Sequence, residues 1–274
     1  MKDSTFAFID DNALSHGAAM AFYAATSLAP ILLIVVALAG IGFGQEAAQI
    51  ALSAQVSGLM GPQSADLFRG VLESASATTT GTWATLIGLV ALLVTASGVF
   101  GEMQTALNVI WKVEPKATSV SRLVRARAAS LGLVAALGFL LLVSLIASAA
   151  ISAMSGIINA HLPFGTVILS TINGVVSFAL VTIMFAAIYK VLPDRNLTWR
   201  DVARGAVVTA ALFTIGKSLV GWYIGTSAIA SSYGAAGGLL VVLLWVYYSS
   251  QIFLFGAELT RAYSIRHGSR TDLR

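Results

Sequence analysis

The distance one can walk along this chain without meeting a charge limits its fold more than any other feature. Residues 12–45, 74–101, 128–189 and 218–257 contain no Asp, Glu, Lys or Arg, so the uncharged runs are 34, 28, 62 and 40 residues long. A helix crosses the hydrocarbon core of a bilayer with roughly 20 apolar residues. The runs therefore hold one, one, two and one to two spans. Composition agrees, with 57% hydrophobic and 10% charged residues against about 25% charged in soluble domains. A transmembrane β-barrel is excluded, because its alternating segments of about 10 residues cannot produce such runs.

The expected fold class is an all-α membrane protein, one helical domain over residues 1–274 with six spans at about 14–43, 81–100, 128–154, 166–189, 202–223 and 239–258. The 62-residue run divides at Asn159, His161, Pro163 and Gly165, where polar groups coincide with helix breakers. Span 1 is roughly 45 Å long if fully helical. It must tilt, reach into the interface or bend at Pro30. Ala37-Leu38-Ala39 resembles a signal-peptide cleavage site, but one Lys against three Asp precedes it and the apolar stretch is too long, so it reads as a retained span. Between spans 1 and 2 the pattern predicts two short extracytoplasmic amphipathic helices, one with Ile50, Val56, Leu59 and Met60 on a face and one with Leu67, Phe68, Val71 and Leu72. The helix of span 2 is expected to continue past Glu102 and Asn108 to Trp111, ahead of Pro115.

Six spans distribute the cations unevenly. The 2–3 loop holds Lys112, Lys116, Arg122, Arg125 and Arg127, and the 4–5 loop holds Lys190, Arg195, Arg200 and Arg204. The tail holds Arg261, Arg266, Arg270 and Arg274; with Lys2, these all fall on one side, against Arg69 alone on the other. Cytoplasmic loops carry the excess of Lys and Arg. Both termini are therefore expected in the cytoplasm, and the net charge of +4 needs no nucleic acid as partner.

Polar groups inside the spans are the candidates for function, since they are expensive there and mark substrate or ion paths. His16, Glu102 and Glu258 fall at similar predicted depth and would line one inward-facing cavity; interfacial solvation, or pairing such as Glu258 with Arg261, is the plainer account. Asn108 and Gln251 extend the set. Lys217 lies 13 residues beyond Arg204, roughly 20 Å along a helix, and either faces the bundle interior or snorkels outward. Pro30 cannot donate to the Thr26 carbonyl, so Thr26 and Ser27 hydroxyls are expected to satisfy freed groups, at a kink or at a substrate contact. Gly234, Gly237 and Gly238 at the entrance to span 6 serve helix packing or an irregular backbone beside a substrate path.

Taken in order, Ala18-Ala19-Met20-Ala21-Phe22-Tyr23-Ala24-Ala25-Thr26-Ser27-Leu28-Ala29-Pro30, then Asn108-Val109-Ile110-Trp111, then Leu192-Pro193 with Trp199-Arg200-Asp201 and Gly205-Ala206 form a recognisable series. Tyr233-Gly234-Ala235-Ala236-Gly237-Gly238, Trp245-Val246-Tyr247 and Gly256-Ala257-Glu258-Leu259 complete it. The series resembles the YihY/BrkB family of bacterial inner-membrane proteins, which carries a legacy ribonuclease BN label. The resemblance covers nearly the whole chain and implies a six-span protein described as a transporter associated with the envelope or virulence. Tyr23 and Tyr233, which stand in these segments, are also counted among the substrate-path candidates.

The nuclease label finds no support in the residues. Metal-assisted hydrolysis needs clustered ligands, whereas His16, His161 and His267 are the only histidines, in separate regions, and the chain has no cysteine. No GxSxG, Walker A or dinucleotide fingerprint is present. The expectation is no enzyme, no cofactor, no metal and no catalytic residue. The function expected first is an inner-membrane transporter or flippase for an amphipathic or anionic envelope component. A non-transporting scaffold for envelope assembly comes second and a membrane-associated ribonuclease third. Expected partners are membrane lipids, with homo-oligomerisation and envelope-assembly partners open.

Overall fold

In a computed structural model of the chain, the residues described are 2–27, 36, 44–60, 65–70, 73, 98–113, 165–226 and 235–267. Every regular element among them is a helix. These are α1 (Lys2–Asp10), α2 (Ala13–Thr26), α3 (Gln45–Met60), α4 (residues 98–110), α5 (Gly165–Val191), α6 (Trp199–Thr226) and α7 (Ala235–His267). A helical stretch at 65–70 follows α3. Three stretches are long and apolar enough to cross a membrane: Leu169–Val191, Trp199–Tyr223 and Gly237–Arg266. They overlap the fourth, fifth and sixth expected spans. Residues 81–97 of the second expected span and all of the third lie outside the described residues.

Exposure follows the demands of lipid. On α5 the side chains of Val167, Ile172, Val175 and Ile183 point outward, and on α6 so do Val207, Ile215 and Leu219. α6 carries exposed Trp199 at its start and exposed Trp222 and Tyr223 near its end. Those aromatics are roughly 35 Å apart along the helix, as interfacial Trp and Tyr should be on either side of a hydrocarbon core of about 30 Å.

Small residues and hydroxyls set the helix crossings. Gly205 on α6 lies against Thr260 on α7, Gly256 on α7 against Thr209 on α6, and Gly216 against Ile252 and Tyr248. The falling partner numbers make α6 and α7 antiparallel. A methyl group at Gly205 or Gly256 would overlap the facing threonine, so the absence of a Cβ is what permits the approach. Between α5, α6 and α7, the buried Tyr189 hydroxyl donates to the Phe253 carbonyl at 2.6 Å and lies 3.0 Å from Thr209 Oγ1, whose own hydroxyl donates to the Gly205 carbonyl at 2.8 Å. Phe185, Tyr189 and Phe253 stack around that point, with Phe213 edge-on to Phe185.

Within the first expected span, α2 ends at Thr26, with Ser27 as its C-cap, and residues 28–35 and 37–43 lie outside the described residues. The Thr26 hydroxyl donates to the Phe22 and Tyr23 carbonyls and the Ser27 hydroxyl to Tyr23, at 2.7 Å. They serve carbonyls one turn earlier than the Thr26 carbonyl expected to need help, and such back-bonding loosens a helix end. The segment before it is also helical. α1 is joined to α2 through Asn12 in the left-handed region, φ 52°, which Asn tolerates well. Of the two predicted amphipathic helices, α3 packs on α6 and α7 with Val56 buried but Ile50 exposed, so the predicted apolar face is not wholly covered. Phe68 is buried in the second.

Candidate functional site

Three helices bring polar groups together. α2 runs antiparallel to α4, with Asp11 paired to Lys112, His16 to Glu102, and the Tyr23 ring against Gly98. α7 runs beside α2, with Gly17 against the Gln251 amide. The polar groups form two levels along this seam.

The first level holds Asp11, Lys112, Glu258 and Arg261. Asp11 and Glu258 are almost fully buried, and their carboxyls face each other. Lys112 pairs with Asp11 through its Nζ, and Arg261 lies one turn along α7 from Glu258, NH1 to Oε2 at 3.7 Å. Lys112 is held at φ 49° where α4 ends. The buried Asp11 and Glu258 carboxyls lie within hydrogen-bonding reach of each other, and Arg261 Nε is buried without a hydrogen-bond partner among the described residues. Leaving such groups unmatched costs about 1–3 kcal/mol each, more for charges.

The second level lies about two helical turns away along α7. His16 Nδ1 is 2.6 Å from Glu102 Oε1, with both side chains mostly buried. Both polar atoms of the Gln251 amide are buried and unpartnered among the described residues, on the same α7 face as Glu258 because seven residues return nearly to the starting angle.

The sequence candidates therefore separate. His16 and Glu102 meet directly, as their common depth suggested, whereas Glu258 belongs to the other level. Asn108 is engaged at the end of α4, exchanging hydrogen bonds with Asp194. Tyr23 is exposed, Thr26 and Ser27 bond to their own helix, and Gly237 and Gly238 are buried at the start of α7. Lys217 is half-buried on α6, level with Tyr248 by the α6–α7 register and away from the α2–α4 seam. Pro30, Tyr233 and Gly234 lie outside the described residues.

Two members were missed. Asp11 stands at the last charged position before the first uncharged run, and Lys112 was counted only as a loop cation. The signal available was their position at the ends of apolar segments that topology makes neighbours. Among the described residues, no group of three His, Asp or Glu is placed to hold a metal ion.

The profile of the family described as Virulence factor BrkB matches residues 6–274. A UPF0761 membrane protein of Ralstonia nicotianae is 33% identical over 64% of this chain and 38% of its own length. One of Pasteurella multocida is 35% identical over 63% of this chain and 52% of its own length. The match thus spans about half or less of these relatives. Another, of Mannheimia succiniciproducens, is 39% identical over 36% of this chain and 33% of its own length. No solved structure matches. Both the relatives' names and the apolar helices speak for a membrane protein, and the profile match over nearly every residue places the chain in the YihY/BrkB family.

Proposed function

We propose that the chain is a six-span inner-membrane transporter or flippase, both termini cytoplasmic, that moves an amphipathic or anionic envelope component. The observation behind this is the two-level polar seam between α2, α4 and α7, where buried carboxyls face each other and buried guanidinium and amide atoms lack partners among the described residues. Such groups in an apolar bundle destabilise it unless something else matches them, and intramembrane ionisable residues commonly line transport paths. A lipid headgroup could pass along the seam while its acyl chains remain in the bilayer. Lys217 would act at a separate point on α6.

Flux of fluorescent lipids in proteoliposomes tests the reading, with Glu102→Gln, Glu258→Gln and Lys217→Met compared in variants verified for membrane insertion. Wild-type flux with a loss of at least about tenfold in Glu102→Gln or Glu258→Gln is expected, each tenfold being worth about 1.4 kcal/mol. Full activity in all three rejects the charge-based mechanism. Absence of flux for every lipid in a folded protein favours the scaffold reading, in which the small-residue helix faces receive envelope-assembly partners or a second copy.

A further inference from the structure

Asp11 and Glu258 are only 5% and 1% exposed, and each turns one carboxyl oxygen to a cation. Asp11 Oδ1 meets Lys112 Nζ, and Glu258 Oε2 lies 3.7 Å from Arg261 NH1. The remaining oxygens, Asp11 Oδ2 and Glu258 Oε1, are buried and receive no other described donor, and the two carboxyls lie within hydrogen-bonding reach of each other. An ionised carboxylate only accepts, so one carboxyl bonds to another only through a proton.

Counting protons singles out one state. With none, two anions touch in a dry site, which like charges at such range do not tolerate. With two, Lys112 and Arg261 face neutral carboxyls and lose their charge-assisted contacts. One shared proton bridges the two oxygens and leaves a single negative charge between both cations. Lys112 and Arg261 are the charged groups that bear on the pair from α4 and α7. On α1, Asp10 is exposed, and on α2, His16 is held by Glu102 at the other level. On α6, Asp201 accepts from the Ser264 hydroxyl and Arg204 donates to the Tyr263 hydroxyl.

The pair stands close to water and on a helix contact. The apolar helix from Gly237 to Arg266 is 30 residues long, or roughly 45 Å, against a core of about 30 Å. Its end bearing Glu258 therefore approaches the membrane boundary. α1 beside it is turned inside out for water: Ser4 is buried while Phe6 and Ile9 are 66% and 60% exposed, as suits a helix at the interface. Half-exposed Lys112 links the pair to the surface. Asp11 precedes α2, which packs on α7 along the seam that holds His16 and Gln251. Release of the proton to water leaves two carboxylates that repel across this contact, a local charge change of the kind that moves a two-state element.

We propose that Asp11 and Glu258 bind one proton between them, and that this is the proton to which transport is coupled. The coupling rests on the transport reading, whereas the proton site is measured without flux.

Infrared spectra of the full chain in detergent at neutral pH compare wild type with Asp11→Asn and Glu258→Gln, in which an amide replaces one carboxyl and donates to the other. A carboxylic acid C=O band, shifted in heavy water, is expected in wild type and in neither variant. The same band should disappear in one step as the pH of wild-type protein is raised, a result independent of how the variants fold. Absence of a titrating band in wild type overturns the site, and its survival in either variant overturns the sharing. In proteoliposomes with the membrane potential clamped, a gradient of one pH unit should shift short-chain fluorescent phospholipids, anionic or zwitterionic, between leaflets by about tenfold, the limit for one proton per lipid. Wild-type flux indifferent to the gradient overturns the coupling. The expected band without flux of any lipid overturns the transport reading and leaves the proton site standing.

Discussion

Asn108 and Asp194 exchange hydrogen bonds across 86 positions of sequence: the Asn108 amide donates to Asp194 Oδ2 at 2.9 Å, and the Asp194 backbone N–H donates to Asn108 Oδ1 at 2.9 Å. Gln104 adds a longer bond to Asp194, and Arg195 donates to the Trp111 carbonyl at 2.9 Å. The end of α4 is thereby fixed to the turn between α5 and α6. Asn108→Ala and Asp194→Ala should each lower the unfolding temperature in detergent, with a coupling of about 1 kcal/mol in the double-mutant cycle. Additive effects would show that the pair merely coincides in space.

Lys112 combines an ion pair to Asp11 with a left-handed backbone. Removing the side chain to Ala loses the pair and keeps the backbone cost, whereas Gly loses the pair and relieves it. Lys112→Gly should therefore be more stable than Lys112→Ala by about 1 kcal/mol, since a left-handed L-residue costs roughly 1–2 kcal/mol. Chemical unfolding of both variants reads the difference. An Ala variant as stable as Gly would refute it.

Gly256 lets Thr209 and the Tyr189 hydroxyl come up to the α7 backbone. Gly256→Ala should destabilise the bundle by about 1–3 kcal/mol through overpacking. Adding Thr209→Ala, which removes the nearest atom, should recover part of that loss. Recovery absent from the double variant would mean that the α6–α7 spacing is set elsewhere.

Membrane crossing by α6 can be checked with single cysteines in a chain that has none of its own. Asn196, exposed in the α5–α6 turn, and Tyr223, exposed near the far end of α6, should label from opposite faces, Asn196→Cys from the cytoplasm. Labelling of both from one face of sealed vesicles would contradict the span.

The long apolar helices were legible in the sequence because charge is excluded from such runs by a general solvation cost that each residue reports separately. The extension of the second span's helix through Glu102 and Asn108 was legible for a related reason, a helical pattern with Pro115 beyond it. Partnership was harder to read. His16 and Glu102 shared a predicted depth, but depth alone does not choose which helix faces which; that choice lies in the crossings at Gly17, Gly98 and Gly256. Asp11 went unnoticed because an aspartate beside a charged segment resembles solvated edge, and only the packing of α4 and α7 against the α1–α2 junction encloses it. The inside-out character of α1 depends on what covers Ser4, which no periodicity announces.

The aromatic girdles of α6 make that helix a gauge of bilayer thickness. Trp199 at one end and Trp222 with Tyr223 at the other are a fixed length apart, so a thinner membrane is met by a change in inclination rather than by sliding. Because Gly205 and Gly256 bring α6 and α7 into close contact, little slack remains between them. Inclination of α6 is then handed on to α7, the helix bearing Gln251 and Glu258, and lipid acyl-chain length becomes a variable that acts on those polar groups from a distance.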